Sequence, residues 1–269
     1  MQTLPDCETL LLDLQGSVLT VTLNLPHKRN SMNYKLVCEM LDVFDAIEKR
    51  DDIRALVLEG AGGIFCAGGD ISDMRLVEGV DNADGRGAPW HFNRSFGRLI
   101  TRANALPQVV IVLLEGIVLG GGFGLACVSD VAIVDRNTQF ALPETGLGIV
   151  PAQIAPFVVQ RIGLAHARRL ALLGERIDGL EAQELGIAHY LTEGRDSMDD
   201  RLAKVLAKLK NCAPKANATT KALMLKVGVE EHEGLLDSAA DAFTRALEGD
   251  EGCEGTKAFK DKRKPTWAR

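Results

Sequence analysis

Apolar runs and polar breaks divide the chain into short strands and longer amphipathic helices. Thr9 to Leu14 and Val18 to Leu25 alternate well enough to predict two strands about Gln15-Gly16, with Pro26 ending the second. Leu36, Met40, Phe44 and Ile47 then keep helical spacing, with Ser31 or Asn33 placed to cap that helix. The unbroken run from Ile53 to Leu58 predicts a buried strand, and Val109 to Leu114 predicts another. Each of these runs into glycines and then a helix start. GAGGIFCAGG (60–69) leads to Asp70 and Asp73, which suit the acidic first turn of a helix through about Val77. Gly120-Gly121-Gly122 leads to the apolar helical stretch Leu125, Ala126, Cys127. Val131 to Val134 returns the chain, and LPET puts Glu144 in a turn ahead of a Gly-rich segment, 146–151.

Between these elements EGVDNADGRGAPW (78–90) is polar and glycine-rich and predicts a mobile loop suited to a lid; Phe92 to Ala105 then resumes helical spacing. Beyond Pro151, Ala152 to Gln160 and Leu164 to Leu173 predict two helices broken at Gly163, and Asp178 is placed to cap a short one. From Ser197 onward amphipathic helices follow one another. The expected organisation is an α/β core over 1–196 and an α-helical region over 197–269.

Composition narrows the function more than the fold. With 269 residues, 46% hydrophobic and 25% charged, the chain can bury a large core as an ordinary soluble protein. Its 31 basic and 37 acidic residues leave a net charge of −6, which speaks against a general nucleic-acid surface and for a small-molecule partner. Six cysteines, at 7, 38, 66, 127, 212 and 253, form no CxxC pair and read as reduced thiols of a cytoplasmic protein. The N-terminus has no basic region before its apolar residues, so neither a signal peptide nor a membrane span is expected, and no metal-ligand spacing stands out.

The glycine bends carry the candidate chemistry. Glycines at a helix start leave backbone N–H groups free, and the helix dipole favours negative charge there. Two such bends on adjacent strands can aim two donors at one point, with Glu144 beside them. The same glycines also suit close helix–sheet packing, with Glu144 a solvated turn residue. Nucleotide phosphate binding fails on spacing: Gly122-x-Gly124 puts Cys127 where a third Gly or Ala belongs, and no Lys-Ser/Thr follows. Cys66 has no His nearby in sequence and reads as a structural thiol. His27, Lys28 and Arg29 in one loop suit either solvent or a phosphate. The basic end, EGTKAFKDKRKPTWAR, suits a solvated tail or a docked, ligand-contacting helix.

Taken in order, NLPHKRNSM, IFCAGGDISDM, GIVLGGGFGLACVSDVAI, LPETGLGIVP and EGTKAFKDKRKPTW resemble the enoyl-CoA hydratase/isomerase, or crotonase, superfamily over essentially the whole chain. The resemblance implies an α/β spiral of ββα units with a C-terminal α-helical trimerisation region, assembled as a homotrimer or a dimer of trimers. It implies a coenzyme A thioester as the substrate, with no separate cofactor. By position it makes the backbone N–H groups of Gly69 and Gly121 the oxyanion donors and Glu144 the catalytic acid/base. It places Lys28 and Arg29 beside the adenosine phosphates, Gly68, Asp70 and Ile71 along the adenine and pantetheine path, and Phe259 with Lys262 of a neighbouring subunit at the same site. Asp130 and Pro143 are expected as structural supports. Trp90, Phe96, Gly124, Ala152 and Phe157 are the expected acyl-pocket residues.

The similar two-glutamate hydratases carry a first Glu where this sequence has Gly124. A lone Glu144 is enough to move a proton between two carbons, as in the similar Δ3,Δ2-enoyl-CoA isomerases, and leaves water activation to be explained. PAQIAPFVVQRIG resembles hydratases of branched glutaconyl thioesters, the methylglutaconyl and isohexenylglutaconyl types of leucine and acyclic terpene breakdown. The substrate's distal carboxylate, or a pocket residue, would then orient the water. The expected activity is hydration of such an enoyl-CoA, with the isomerase as the alternative and a non-catalytic coenzyme A-binding or RNA-associated scaffold as a further one.

Overall fold

The computed structural model describes residues 3–73 and 85–268, so the helix expected through Val77 and most of the expected lid lie outside the described residues. Among those residues the strands are β1 (Leu10–Gln15), β2 (Val18–Leu23), β3 (Ala55–Gly60), β4 (Val109–Leu114), β5 (Ile117–Leu119), β6 (Val131–Asp135), β7 (Gln139–Ala141) and β8 (Tyr190–Thr192). The helices are α1 (Tyr34–Ile47), α2 (Ala88–Ala105), α3 (Gly121–Val128), α4 (Ala155–Leu173), α5 (Gly179–Glu184), α6 (Gly194–Leu209), α7 (Pro214–Met224), α8 (His232–Glu248) and α9 (Asp250–Lys260). This is an α/β fold. β1 and β2 form an antiparallel hairpin, and the rest of the six-stranded sheet, in the order β1-β2-β3-β4-β6-β8, is parallel. β5 and β7 pair separately, also in parallel.

The central strands are apolar throughout because both sheet faces are covered. Leu56, Leu58, Val110, Val112, Leu114 and Val134 enter the main core with Phe44 of α1 and Ile100 of α2. The alternate residues, Ala55, Val57, Ile111, Leu113 and Ile133, form a second cluster with Met198, flanked by Leu202, Val205, Leu206 and Leu209 of α6. The position expected to divide core from helical region, 196/197, therefore falls inside a helix that packs on the sheet. Arg54, just ahead of β3, ties down the end of that helix. Its guanidinium donates to the carbonyls of Leu209 (2.8 Å), Lys210 (3.3 Å) and Trp267 (3.1 Å), and to that of Cys212.

Local capping resolves the open points of the sequence. Asn33 caps α1, its Oδ1 accepting from the Leu36 N–H at 2.8 Å. Asp73 serves the same end, accepting from the Tyr34 N–H at 3.0 Å. α2 begins at Ala88, earlier than Phe92, because Pro89 in its first turn has the helical φ built in. Gly163, at φ 74°, breaks α4 where the break was expected.

Candidate active site

Residues 64–70 run between Met32 and β5, bending at Gly68 (φ 98°). The Cys66 N–H donates to the Ile117 carbonyl (2.9 Å) and the Leu119 N–H to the Cys66 carbonyl (2.9 Å), while the Met32 N–H donates to the Gly68 carbonyl (2.8 Å) and the Asp70 N–H to the Met32 carbonyl (2.9 Å). These bonds bring the two glycine bends together, so that a Cβ on Gly120 would lie 3.7 Å from the Gly68 Cα. Gly120 adopts φ 48° and ψ −113°, where a side chain is strained, and turns the chain into α3. Among the described residues no oxygen accepts from the amide of Gly69, or from that of Gly121 at the start of α3. An unpaired N–H at a helix start is a preorganised donor for negative charge.

Glu144 opens a short 3-10 turn (Glu144–Leu147) after Pro143. Its Oε1 lies 2.8 Å from where a Gly120 Cβ would stand, so the glycine bend also makes room for the carboxyl. Its Oε2 is buried without a hydrogen-bond partner among the described residues. Burial pushes this carboxyl above the ordinary glutamate range, and its own backbone N–H offsets that only in part. A carboxyl so placed is suited to taking and returning a proton.

A cavity of about 400 Å³ opens onto these groups. Met32, Gly69, Gly121 and Glu144 line it, together with Pro89, Trp90, Phe92, Asn93 and Phe96 of α2 and the segment 149–154. Of the expected pocket residues, Trp90, Phe96 and Ala152 are there. Gly124 and Phe157 are not, which corrects the sequence expectation. A Cβ on Gly124 would come within 2.4 Å of Ile154 Cγ2 and 2.8 Å of Ile100 Cδ1, so position 124 faces an apolar seam between α2, α3 and the start of α4. Phe157 packs on the main core instead. Close packing thus accounts for Gly124, and for Gly122 against Cys66, whereas Gly69 and Gly121 border the cavity.

At the edge of the site Lys28 Nζ and Asp70 Oδ2 pair at 2.6 Å. The hydrogen bond to Lys28 holds the buried Asp70 carboxyl low, against its desolvation, and the same bond raises Lys28. Arg29 and Asn30 both take φ 53°. Asn30 is fully buried: its Oδ1 accepts from the Leu25 N–H (2.9 Å), and its Nδ2 donates to the carbonyls of Ala61 (2.9 Å) and Ile64 (2.6 Å). That strut holds the basic loop against the glycine loop. A Cβ on Gly68 would lie 3.4 Å from the Leu119 carbonyl oxygen, and Ile71 is exposed. Phe259, 86% exposed, and Lys262 lie at the end of α9 and do not line the cavity of their own chain.

Asp130 is a structural tie, accepting from the Val110 N–H (2.7 Å) and Lys221 Nζ (2.6 Å). Cys66 and Cys127 are buried, and burial pushes both thiols up to about 12, which suits inert packing residues. Sequence reasoning passed over Met32, Asn30, Asn93 and Gln153. For Asn93 a signal existed, since helical spacing puts positions 89, 93 and 96 on one face.

A mixed sheet with helices beyond it, and two glycine bends meeting one half-buried carboxyl, is the architecture of the crotonase fold. The profile of the family described as enoyl-CoA hydratase/isomerase matches residues 13–269, and the chain belongs to that family. The solved structure of Pseudomonas aeruginosa AtuE is 54% identical, with 97% of this chain and 100% of that chain covered at a TM-score of 0.92. Carnitinyl-CoA dehydratase of Proteus mirabilis is 33% identical over 267 residues, 97% of this chain and 98% of that protein. The 1,2-epoxyphenylacetyl-CoA isomerase of Escherichia coli is 32% identical over 203 residues, 74% of this chain and 76% of that protein. This chain is an enzyme of the hydratase/isomerase type.

Proposed function

We propose that the enzyme adds water across the 2,3 double bond of an enoyl-CoA whose acyl part is of the branched glutaconyl type. The observation that carries the reading is one cavity bordered by the amides of Gly69 and Gly121 and by a carboxyl, Glu144, with an unpartnered buried oxygen. The thioester oxygen accepts from both amides, which stabilise the charge that builds as the enolate forms; one such donor is worth about 3 to 4 kcal/mol of barrier. Glu144 is the acid/base at the α-carbon. Lys28 and Arg29 meet the adenosine phosphates, and Gly68, Asp70 and Ile71 line the path to the thioester.

Phe259 and Lys262 complete that site from a neighbouring subunit, in a trimer or dimer of trimers. Exposed Met224, Val227, Val229 and Phe243 supply apolar surface for such an assembly. The glutaconyl assignment is supported by the likeness of PAQIAPFVVQRIG, whose first four residues line the cavity.

One observation favours the Δ3,Δ2-isomerase instead. The side of α3 where a second glutamate would project is filled by Ile154 and Ile100, and Glu144 is the one carboxyl among the described lining residues. Incubating a 2-enoyl-CoA and a 3-enoyl-CoA separately in heavy-oxygen water distinguishes the two. A hydratase removes conjugated thioester absorbance from the first and incorporates label; an isomerase creates that absorbance from the second without label. Consumption of neither refutes both.

A further inference from the structure

Among the described lining residues other than Glu144 and Trp90, the hydrogen-bonding side chains are those of Asn93 and Gln153. They are joined to each other, Gln153 Nε2 donating to Asn93 Oδ1 at 2.9 Å. Gly97, one turn beyond Asn93 on α2, makes the room: a Cβ there would lie 2.0 Å from Gln153 Oε1. The bond leaves a donor, Asn93 Nδ2, and an acceptor, Gln153 Oε1, with no partner among the described residues. Exchanging N and O in both amides leaves the same complement, one donor and one acceptor. A water molecule satisfies both.

We infer that the Asn93–Gln153 pair seats the water added to the double bond and holds it for Glu144, replacing the carboxylate that Gly124 lacks. This rests on the hydratase reading above. The water oxygen bonds to C3, the C2=C3 pair becomes the C1=C2 bond, and the carbonyl pair moves onto the thioester oxygen between the two amides. The water's proton passes to Glu144. Glu144 then returns it to C2 as the carbonyl re-forms, so that one water is added and the carboxylate is regenerated. Asn93 and Gln153 exchange no proton and are positioning residues.

Two variants of the full-length enzyme test this. Gln153→Met keeps the length over Gly97 without hydrogen-bonding groups, and Asn93→Asp keeps the shape but turns the spare donor into an acceptor. Each is measured for hydration of 3-methylglutaconyl-CoA and for exchange of the C2 hydrogens of butyryl-CoA in heavy water, which needs Glu144 and the two amides but adds no water. The expected result is a fall in hydration kcat of about ten- to hundredfold with KM within about threefold and exchange within about twofold. Unchanged hydration, or hydration and exchange falling together, overturns the inference. Wild type is also expected to hydrate a neutral methyl analogue; hydration confined to the glutaconyl thioester would assign the water to the substrate's own carboxylate and overturn it. Exchange without any hydration by wild type would instead refute the hydratase reading itself.

Discussion

The contact between Gly124 and Ile154 sets up a stability test of why this position carries no side chain. In Gly124→Ala the new methyl would stand 2.4 Å from Ile154 Cγ2, a distance that forces something to shift. Overpacking of this kind costs about 1 to 3 kcal/mol, against a gain of about 1 kcal/mol for Ala over Gly inside a helix. The net expectation is a loss of up to about 2 kcal/mol. Ile154 is 3% exposed, so Ile154→Ala alone loses about 2 to 5 kcal/mol. In the double variant the atom causing the closest clash is gone; the Cβ of residue 154 remains at 3.1 Å, and the 2.8 Å contact with Ile100 Cδ1 involves the end of a flexible side chain. The methyl then fills part of the hole, and the two changes should couple by at least about 1 kcal/mol. Urea unfolding of the four proteins, with midpoint and slope both fitted, measures that coupling. Losses that add to within about 0.5 kcal/mol would show that position 124 does not face Ile154.

Other consequences are open to measurement. Glu144→Gln should abolish turnover while coenzyme A binding persists in calorimetry; unchanged turnover would place the reactive carboxyl elsewhere. The Glu144 carboxyl is raised by burial, so the folded state holds its proton to higher pH than the unfolded chain, and ionisation costs stability as pH rises through the folded value. Glu144→Gln should therefore gain stability over wild type as pH rises through the carboxyl range towards neutral in thermal melts, and a gap that narrows instead contradicts this. Asp70 has the opposite sign, its folded value being depressed by Lys28. Asp70→Asn should be less stable than wild type at neutral pH, and the two should converge as acid titrates the depressed carboxyl. Arg54→Ala should cost about 2 kcal/mol in chemical unfolding by freeing the carbonyls at the end of α6, and Lys should not restore it, because a single ammonium cannot reach the same set.

Much of this was legible in the sequence because it rests on local rules. The buried strands, the hairpin, the glycine turns into α3 and the break at Gly163 all follow from periodicity and backbone preference. The cavity's acyl wall was harder, because it is made by α2 meeting the segment after Glu144, and no local pattern says which faces meet. Gly124 illustrates the limit. Its place in the glycine stretch marks a missing carboxylate, but nothing local says that Ile154, a cavity-wall residue just ahead of α4, occupies the space a side chain there would take. Asn30 and Asn93 looked like any polar residues in a loop and a helix; burial and a partner from a distant segment give them their roles.

The second apolar face of the sheet has a bearing on how the chain comes off the ribosome. Ala55, Val57, Ile111, Leu113 and Ile133 are all synthesised before Met198 and the leucines that cover them. A nascent chain halted at residue 196 would hold all six strands of the sheet with a bare greasy stripe, a surface prone to sticking to its own copies. Cutting the gene there should give inclusion bodies rather than a smaller soluble protein.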